Sequence, residues 1–100
     1  MFVHNIQFKW KPGTSAADIE EMKAALATLP GAVPSIRSYI FGSDLGLATQ
    51  SGNSWDFAII AQFDDRAGWQ EYLDHPVHDK VRAEKLAPRI AERASVQFEY

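Results

Sequence analysis

Phe2-Val3-His4-Asn5-Ile6-Gln7-Phe8-Lys9-Trp10-Lys11, stopped by Pro12-Gly13, is the stretch from which the fold is read. Phe2, His4, Ile6, Phe8 and Trp10 fall on one side of a two-residue repeat, with Val3, Asn5, Gln7, Lys9 and Lys11 on the other. That is the pattern of a strand with one buried face. Beyond the Pro-Gly stop, Thr14-Ser15 followed by Asp18 offers a helix N-cap with an acidic first turn, close to a capping box. Ile19, Met22, Leu26 and Leu29 then form one apolar stripe at helical spacing, which Leu29-Pro30-Gly31 ends.

Ile36 to Gly42 is rich in β-branched and aromatic residues and predicts a second strand. Ser43 to Ser54 has no sustained period and predicts a loop carrying a hairpin or an irregular excursion; Gly42-Ser43-Asp44-Leu45-Gly46 within this region reads as a turn and lacks the spacing of a phosphate cradle. Trp55 to Phe63 predicts the third strand, with Trp55, Phe57, Ile59, Ala61 and Phe63 on its apolar side. Asp64-Asp65 can cap a short helix bearing Trp69, Tyr72 and Leu73. His75-Pro76 breaks that helix and opens the next, on which Val77, Val81 and Leu86 make a partial stripe before Pro88 closes it. Ala94 to Tyr100 alternates again as a final strand. The tryptophans at 10, 55 and 69 lie on apolar faces and read as core.

The order β-α-β-β-α-α-β is a split βαβ pattern. It predicts an α+β domain of ferredoxin-like type, a four-stranded antiparallel sheet with helices on one face. The other face is left bare. Val3, Asn5, Gln7, Ala58, Ile60 and Gln62 are assigned there, a mixture too apolar for a wetted surface and too polar for a monomer core. A homodimer that buries sheet against sheet fits it.

Composition narrows the function. One hundred residues, 46% hydrophobic and 23% charged, make one domain spanning residues 1–100. A net charge of -3 is the wrong sign for a sequence-independent phosphate binder, so no nucleic-acid partner is expected. No apolar run approaches the roughly 20 residues that cross a bilayer, so no membrane partner is expected either. The absence of cysteine excludes disulfides and thiol chemistry and permits a reducing compartment, so the cytoplasm is the default expectation.

Candidate chemistry gathers around three histidines, His4, His75 and His78. His4 shares its strand face with Phe2, Ile6 and Phe8, where burial disfavours the charged ring and a hydrogen-bond partner is needed. Tyr72, on the apolar side of its helix, could be that partner. His78 falls in the first turn of the helix opened by Pro76, where the dipole also favours the neutral ring. A neutral imidazole near pH 7 can act as a general base. The plainer reading stands beside it: the His75-Pro76 corner joins two helices, and His4 and His78 are satisfied core residues. A metal site built from His75, His78 and a nearby aspartate is poorly placed, because Pro76 interrupts the helix that would align the ligands.

Tyr72-Leu73-Asp74-His75-Pro76-Val77-His78, together with the opening strand Val3-His4-Asn5-Ile6-Gln7-Phe8, resembles the stress-responsive A/B-barrel family, the dimeric α+β barrel (Dabb) domains. The resemblance runs over nearly the whole chain. It implies the ferredoxin-like order already derived and a barrel formed where two sheets meet. It also implies a polyketide-cyclase-like activity without cofactor or metal, in which the position of His78 is the base, that of Tyr72 orients the base or the substrate carbonyl, and that of His4 supplies polar support. The plant polyketide cyclase of this family carries a further histidine where this chain has Phe57, so the same substrate is not implied. The expected site is therefore a small apolar pocket between sheet and helices. Its catalytic candidates are His78, Tyr72 and His4, its lining Ile6, Phe8, Phe57, Ile59 and His75, and its occupant a small hydrophobic or aromatic carbonyl compound. A non-catalytic, stress-associated binding or structural domain is the alternative.

Overall fold

The computed structural model describes residues 1–47 and 55–100. Strand β1 spans Phe2–Trp10, helix α1 Ala16–Leu26, the short helix α2 Leu29–Ala32, β2 Ile36–Ser43, β3 Phe57–Phe63, α3 Arg66–Asp74 and α4 Pro76–Val81. A single π-helical turn, Arg82–Leu86, follows, and β4 is Ile90–Glu99. The strands form one antiparallel sheet in the order β2-β3-β1-β4, the ferredoxin-like arrangement expected from the element order.

Register explains which side is buried. Phe2 stands opposite Phe63, Ile6 opposite Ile59 and Phe8 opposite Phe57. That row, with Ala61, meets Met22 and Leu26 of α1, Leu29 of α2, Tyr72 of α3 and Leu86 of the π turn in one core. On the other face Asn5 lies between Ile60 and Val96, and Ile60 pairs with Ile40. No helix covers these residues: Ile40 is 60% exposed, Val96 62% and Phe98 48%. Val3 belongs to this face too, yet it is only 4% exposed between its cross-strand neighbours Gln62 and Phe98.

Local chemistry sets the element ends. Ser15 caps α1 in a full capping box: its Oγ accepts from Asp18 N at 3.1 Å and its own N–H donates to the Asp18 carboxylate at 3.0 Å. Asp65 caps α3 by accepting from Gly68 N. Asp64 does not cap; it pairs with Arg37, the residue at the irregularity in the β2–β3 register. Asp44 accepts from Gly46 N where Gly46 has φ of 73°, so a turn forms at 44–46, while Gly42 and Ser43 of the expected turn are paired residues of β2; residues 48–54 of the expected loop lie outside the described residues.

Three boundaries differ from the expectation by more than one residue, each for a local reason. Leu29 does not end α1 but starts α2, with Pro30 in the first turn where its missing N–H is harmless. Strand β3 begins at Phe57 rather than Trp55; beyond it the Trp10 N–H donates to the Asp56 carboxylate instead of to a backbone carbonyl. Trp55 lies at the sheet margin with the Lys9 ammonium 5.0 Å from its ring centroid, and it is not part of the core. Strand β4 begins at Ile90, earlier than its alternating part, across a register shift at Lys9/Trp10. The helix after Pro76 also changes type. Val77 and Val81 are four apart but Val81 and Leu86 five, and the π turn absorbs the extra residue through a bond from Ala87 N to Arg82 O at 2.8 Å.

Phe63 is fully buried, so Phe63→Ala is expected to destabilise the domain by about 3 to 5 kcal/mol. Ser15→Ala, which removes only a cap, is expected to cost about 1 kcal/mol. Urea unfolding of both variants checks the ranking; equal losses would contradict it.

Candidate functional site

A cleft opens on the helix-bearing face between β1, the α3–α4 corner and the edge strand β4. It is lined by His4, Ile6 and Phe8 of β1, Ile59 of β3, Tyr72 and Leu73 of α3, His78 of α4, Arg82 and Leu86 at the two ends of the π turn, and Ile90 and Arg93 of β4. Its volume is about 90 Å³. This is smaller than the roughly 150 Å³ cavity that holds benzene, so only a few heavy atoms of a ligand would be fully enclosed.

His4 is 7% exposed, and its Nδ1 lies 2.9 Å from the amide nitrogen of Gln97 on the neighbouring strand. That amide nitrogen can only donate, so Nδ1 accepts and the proton of the neutral ring sits on Nε2. Burial holds the His4 pKa down to about 4, with the charges of His78 and Arg93 acting the same way. Tyr72 is not its partner. The Tyr72 hydroxyl lies 3.0 Å from that of Tyr39 on β2. Burial raises the pKa of both phenols, so both stay protonated.

The His75-Pro76 corner brings His78 onto Tyr72, with ring centroids 4.1 Å apart and planes tilted by 46°. This is ring packing rather than a hydrogen bond through the hydroxyl. Burial lowers the His78 pKa, the nearby Leu73 carbonyl opposes this, and Arg82 and Arg93 add to the lowering. Its Nδ1 is buried and has no hydrogen-bond partner among the described residues. The cleft thus holds two imidazoles that are neutral near pH 7 beside a protonated phenol, against an otherwise aliphatic and aromatic wall.

Of the residues expected here, His4, Tyr72, His78, Ile6, Phe8 and Ile59 line the cleft. Phe57 and His75 do not. Phe57 is buried in the core between Trp10 and Phe41, at centroid distances of 5.4 and 6.2 Å. His75 caps α4, its Nδ1 accepting from Val77 N at 3.1 Å, because the bend before Pro76 leaves that N–H without a helical partner. Tyr39, Gln97, Arg82 and Arg93 were not anticipated. The sequence signal for Gln97 and Arg93 is slight: they lie on the polar side of an alternating edge strand, and only the β1–β4 register turns that side toward the helices.

The family model for the stress responsive A/B barrel domain, Dabb, matches residues 2–100. The chain belongs to this family. A dimeric ferredoxin-like protein of unknown function from Thermobifida fusca is similar at 39% identity, with 99% of this chain and 90% of that one covered and a TM-score of 0.88. A dimeric ferredoxin-like protein of unknown function from Bacteroides fragilis is similar at 24% identity, with 99% and 95% covered and a TM-score of 0.83. The fold is shared with the hydroxynitrile lyase of Passiflora edulis at 18% identity, with 97% and 90% covered and a TM-score of 0.84. No match was found among the curated proteins. Among the described residues, no helix of this Dabb domain is long and apolar enough to cross a membrane.

The depressed histidines predict acid sensitivity in a defined window. An unfolded His binds its proton near pH 6.5, whereas folded His4 resists it until about pH 4. Between these values the unfolded state holds more protons, so stability is full above pH 6.5 and falls as pH drops toward 4, by up to about 1.4 kcal/mol per unit for one group. The acidic groups with lowered pKa, Asp18, Glu21 and Asp64, act at the bottom of this window and below it, since their ordinary values are 3.8 to 4.5. Thermal unfolding between pH 4.5 and 7 should show the slope, and His4→Phe should flatten it. An unchanged slope in the variant would remove His4 as its source.

Proposed function

We propose that this Dabb domain works as a homodimer whose subunits each bind a small carbonyl compound in the cleft and remove a proton from the carbon beside the carbonyl, without cofactor or metal. The observation that carries this is the His78 ring, its pKa lowered by burial, packed against Tyr72 in a cleft that His4 also lines. In the proposed step His78 accepts the proton and becomes imidazolium as the carbonyl oxygen becomes an enolate. His4, with its proton on Nε2, and Tyr72, anchored by Tyr39, are the donors available to that oxygen. Return of the proton to that carbon completes an exchange; in a polyketide-cyclase-like ring closure the enolate carbon adds to a second carbonyl of the same molecule and the His78 proton passes to the alkoxide so formed. The hydroxynitrile lyase of Passiflora edulis lends support in that an enzyme is built on the same fold.

Homodimerisation rests on the uncovered sheet face around Ile40, Ile60 and Val96 and on the dimeric state of the Thermobifida fusca and Bacteroides fragilis proteins. One observation favours the non-catalytic alternative: His4 and Tyr72 are each already paired within the fold, as residues tying helices to sheet would be.

Deuterium exchange at C2 of ethyl acetoacetate, followed by NMR, separates the two readings. The wild type is expected to exceed the buffer rate by at least about 100-fold, the lower range for general base catalysis. His78→Ala should return it to background while the melting temperature stays within a few degrees. Exchange that survives in His78→Ala, or is absent in the wild type, defeats the catalytic reading. The rate should rise with pH to a plateau whose midpoint lies below 6.5, because protonation of His78 removes the base. For the dimer, light scattering should give twice the chain mass for the wild type and a monomer for Val96→Glu.

A further inference from the structure

Strand β4 turns its two faces in an unexpected sense. Val96 and Phe98 point to the bare side of the sheet, while Arg93, Ser95 and Gln97 stand opposite Phe8, Ile6 and His4 and so share the helix side with the core row. A strand packed against a core would carry apolar residues there. Instead the rim of the cleft is polar, and Gln97 is already engaged with His4.

Arg93 is the group on that rim left without a counter-charge. Lys9, Lys23, Arg37, Arg82, Lys85 and Arg89 all have carboxylate partners. Among the described residues the remaining cations are Lys11, Arg66, Lys80 and Arg93, and of these Arg93 alone lines the cleft. The other arginine of the lining, Arg82, is held by Asp79 at 2.7 Å. The cleft therefore combines a hydrocarbon interior, neutral acid-base groups and one uncompensated guanidinium at the β4 rim, in a protein whose net charge is -3.

We infer that the ligand is a small oxo-carboxylate, its carboxylate on the Arg93 guanidinium and its carbonyl end beside His78. The inference rests on the reading of the cleft as a carbonyl site and names the substrate class. A guanidinium presents two parallel N–H donors, which match a carboxylate and fix its orientation as well as its charge. The cleft volume of about 90 Å³ suits the same division, with a few carbon atoms enclosed and the charged end at the rim. Lys11, Arg66 and Lys80, the other cations without a carboxylate partner among the described residues, lie outside this cleft.

The test compares acetoacetate with its uncharged methyl ester by NMR titration of the His78 ring resonances, in the wild type, in Arg93→Gln and in Arg66→Gln. Arg66 lies away from this cleft, and its substitution removes the same charge. Acetoacetate is expected to bind the wild type and Arg66→Gln at least tenfold more tightly than Arg93→Gln, while the ester binds all three alike. If both ligands move His78 equally in all three proteins, the carbonyl site stands and the carboxylate assignment falls. If neither ligand moves His78 in the wild type, the carbonyl site itself falls, and the assignment with it. Inorganic phosphate that competes with acetoacetate at equal strength, with the same dependence on Arg93, would overturn the carboxylate in favour of a general anion site.

Discussion

The burial of one face of β1 against the helices is the constraint on which the rest of the domain depends. Strand β1 is central, bonded to β3 on one side and β4 on the other, so its two-residue period dictates which way every neighbour turns. Placing Phe2, Ile6 and Phe8 under the helices forces Phe57, Ile59 and Phe63 to the same side. It also carries His4 into the interior, since His4 sits in the same row. A polar ring is thereby held at a core position, and the register that put it there also brings Gln97 alongside to satisfy it.

The cleft exists because the layer above the sheet is interrupted. At His75-Pro76 the missing proline N–H ends one helix and starts another, and the His75 ring takes over the capping that the backbone cannot supply. The π turn that follows widens the helix by one residue just before the edge strand, and its ends, Arg82 and Leu86, become part of the wall. Tyr72 and His78, on opposite sides of the corner, are pressed into ring contact, and the Tyr39 hydroxyl holds Tyr72 from the sheet. Low polarity then keeps both imidazoles neutral, the state a base needs and the state least costly to bury. The same burial thus holds the fold together and leaves each ring in its proton-accepting form.

The two faces of the sheet express a division of labour. The helix side encloses the core and the cleft, while the opposite side keeps Ile40, Val96 and Phe98 exposed around a nearly covered Val3. An antiparallel sheet tolerates water on one face, and a cluster of exposed apolar side chains there is the kind of surface through which proteins associate. Dimer formation on that side would leave the cleft unobstructed on the other.

Strand alternation in β1 and β3, the Ser15 and Asp65 caps and the His75-Pro76 break were legible in the amino-acid order, because each depends on residues within a few positions of one another. So was the grouping of His4 with the core row, and with it the reading of His4, Tyr72 and His78 as one neighbourhood. Partnership was not legible. Tyr72 bonds to Tyr39 rather than His4, His75 caps a helix, and Phe57 fills the core beneath Trp10, since these outcomes turn on strand order and register that no local period encodes. Arg93 was hidden for the same reason. An alternating edge strand can present either face inward, and only its pairing with β1, set by burial of apolar surface across the whole sheet, turned the polar side toward the cleft.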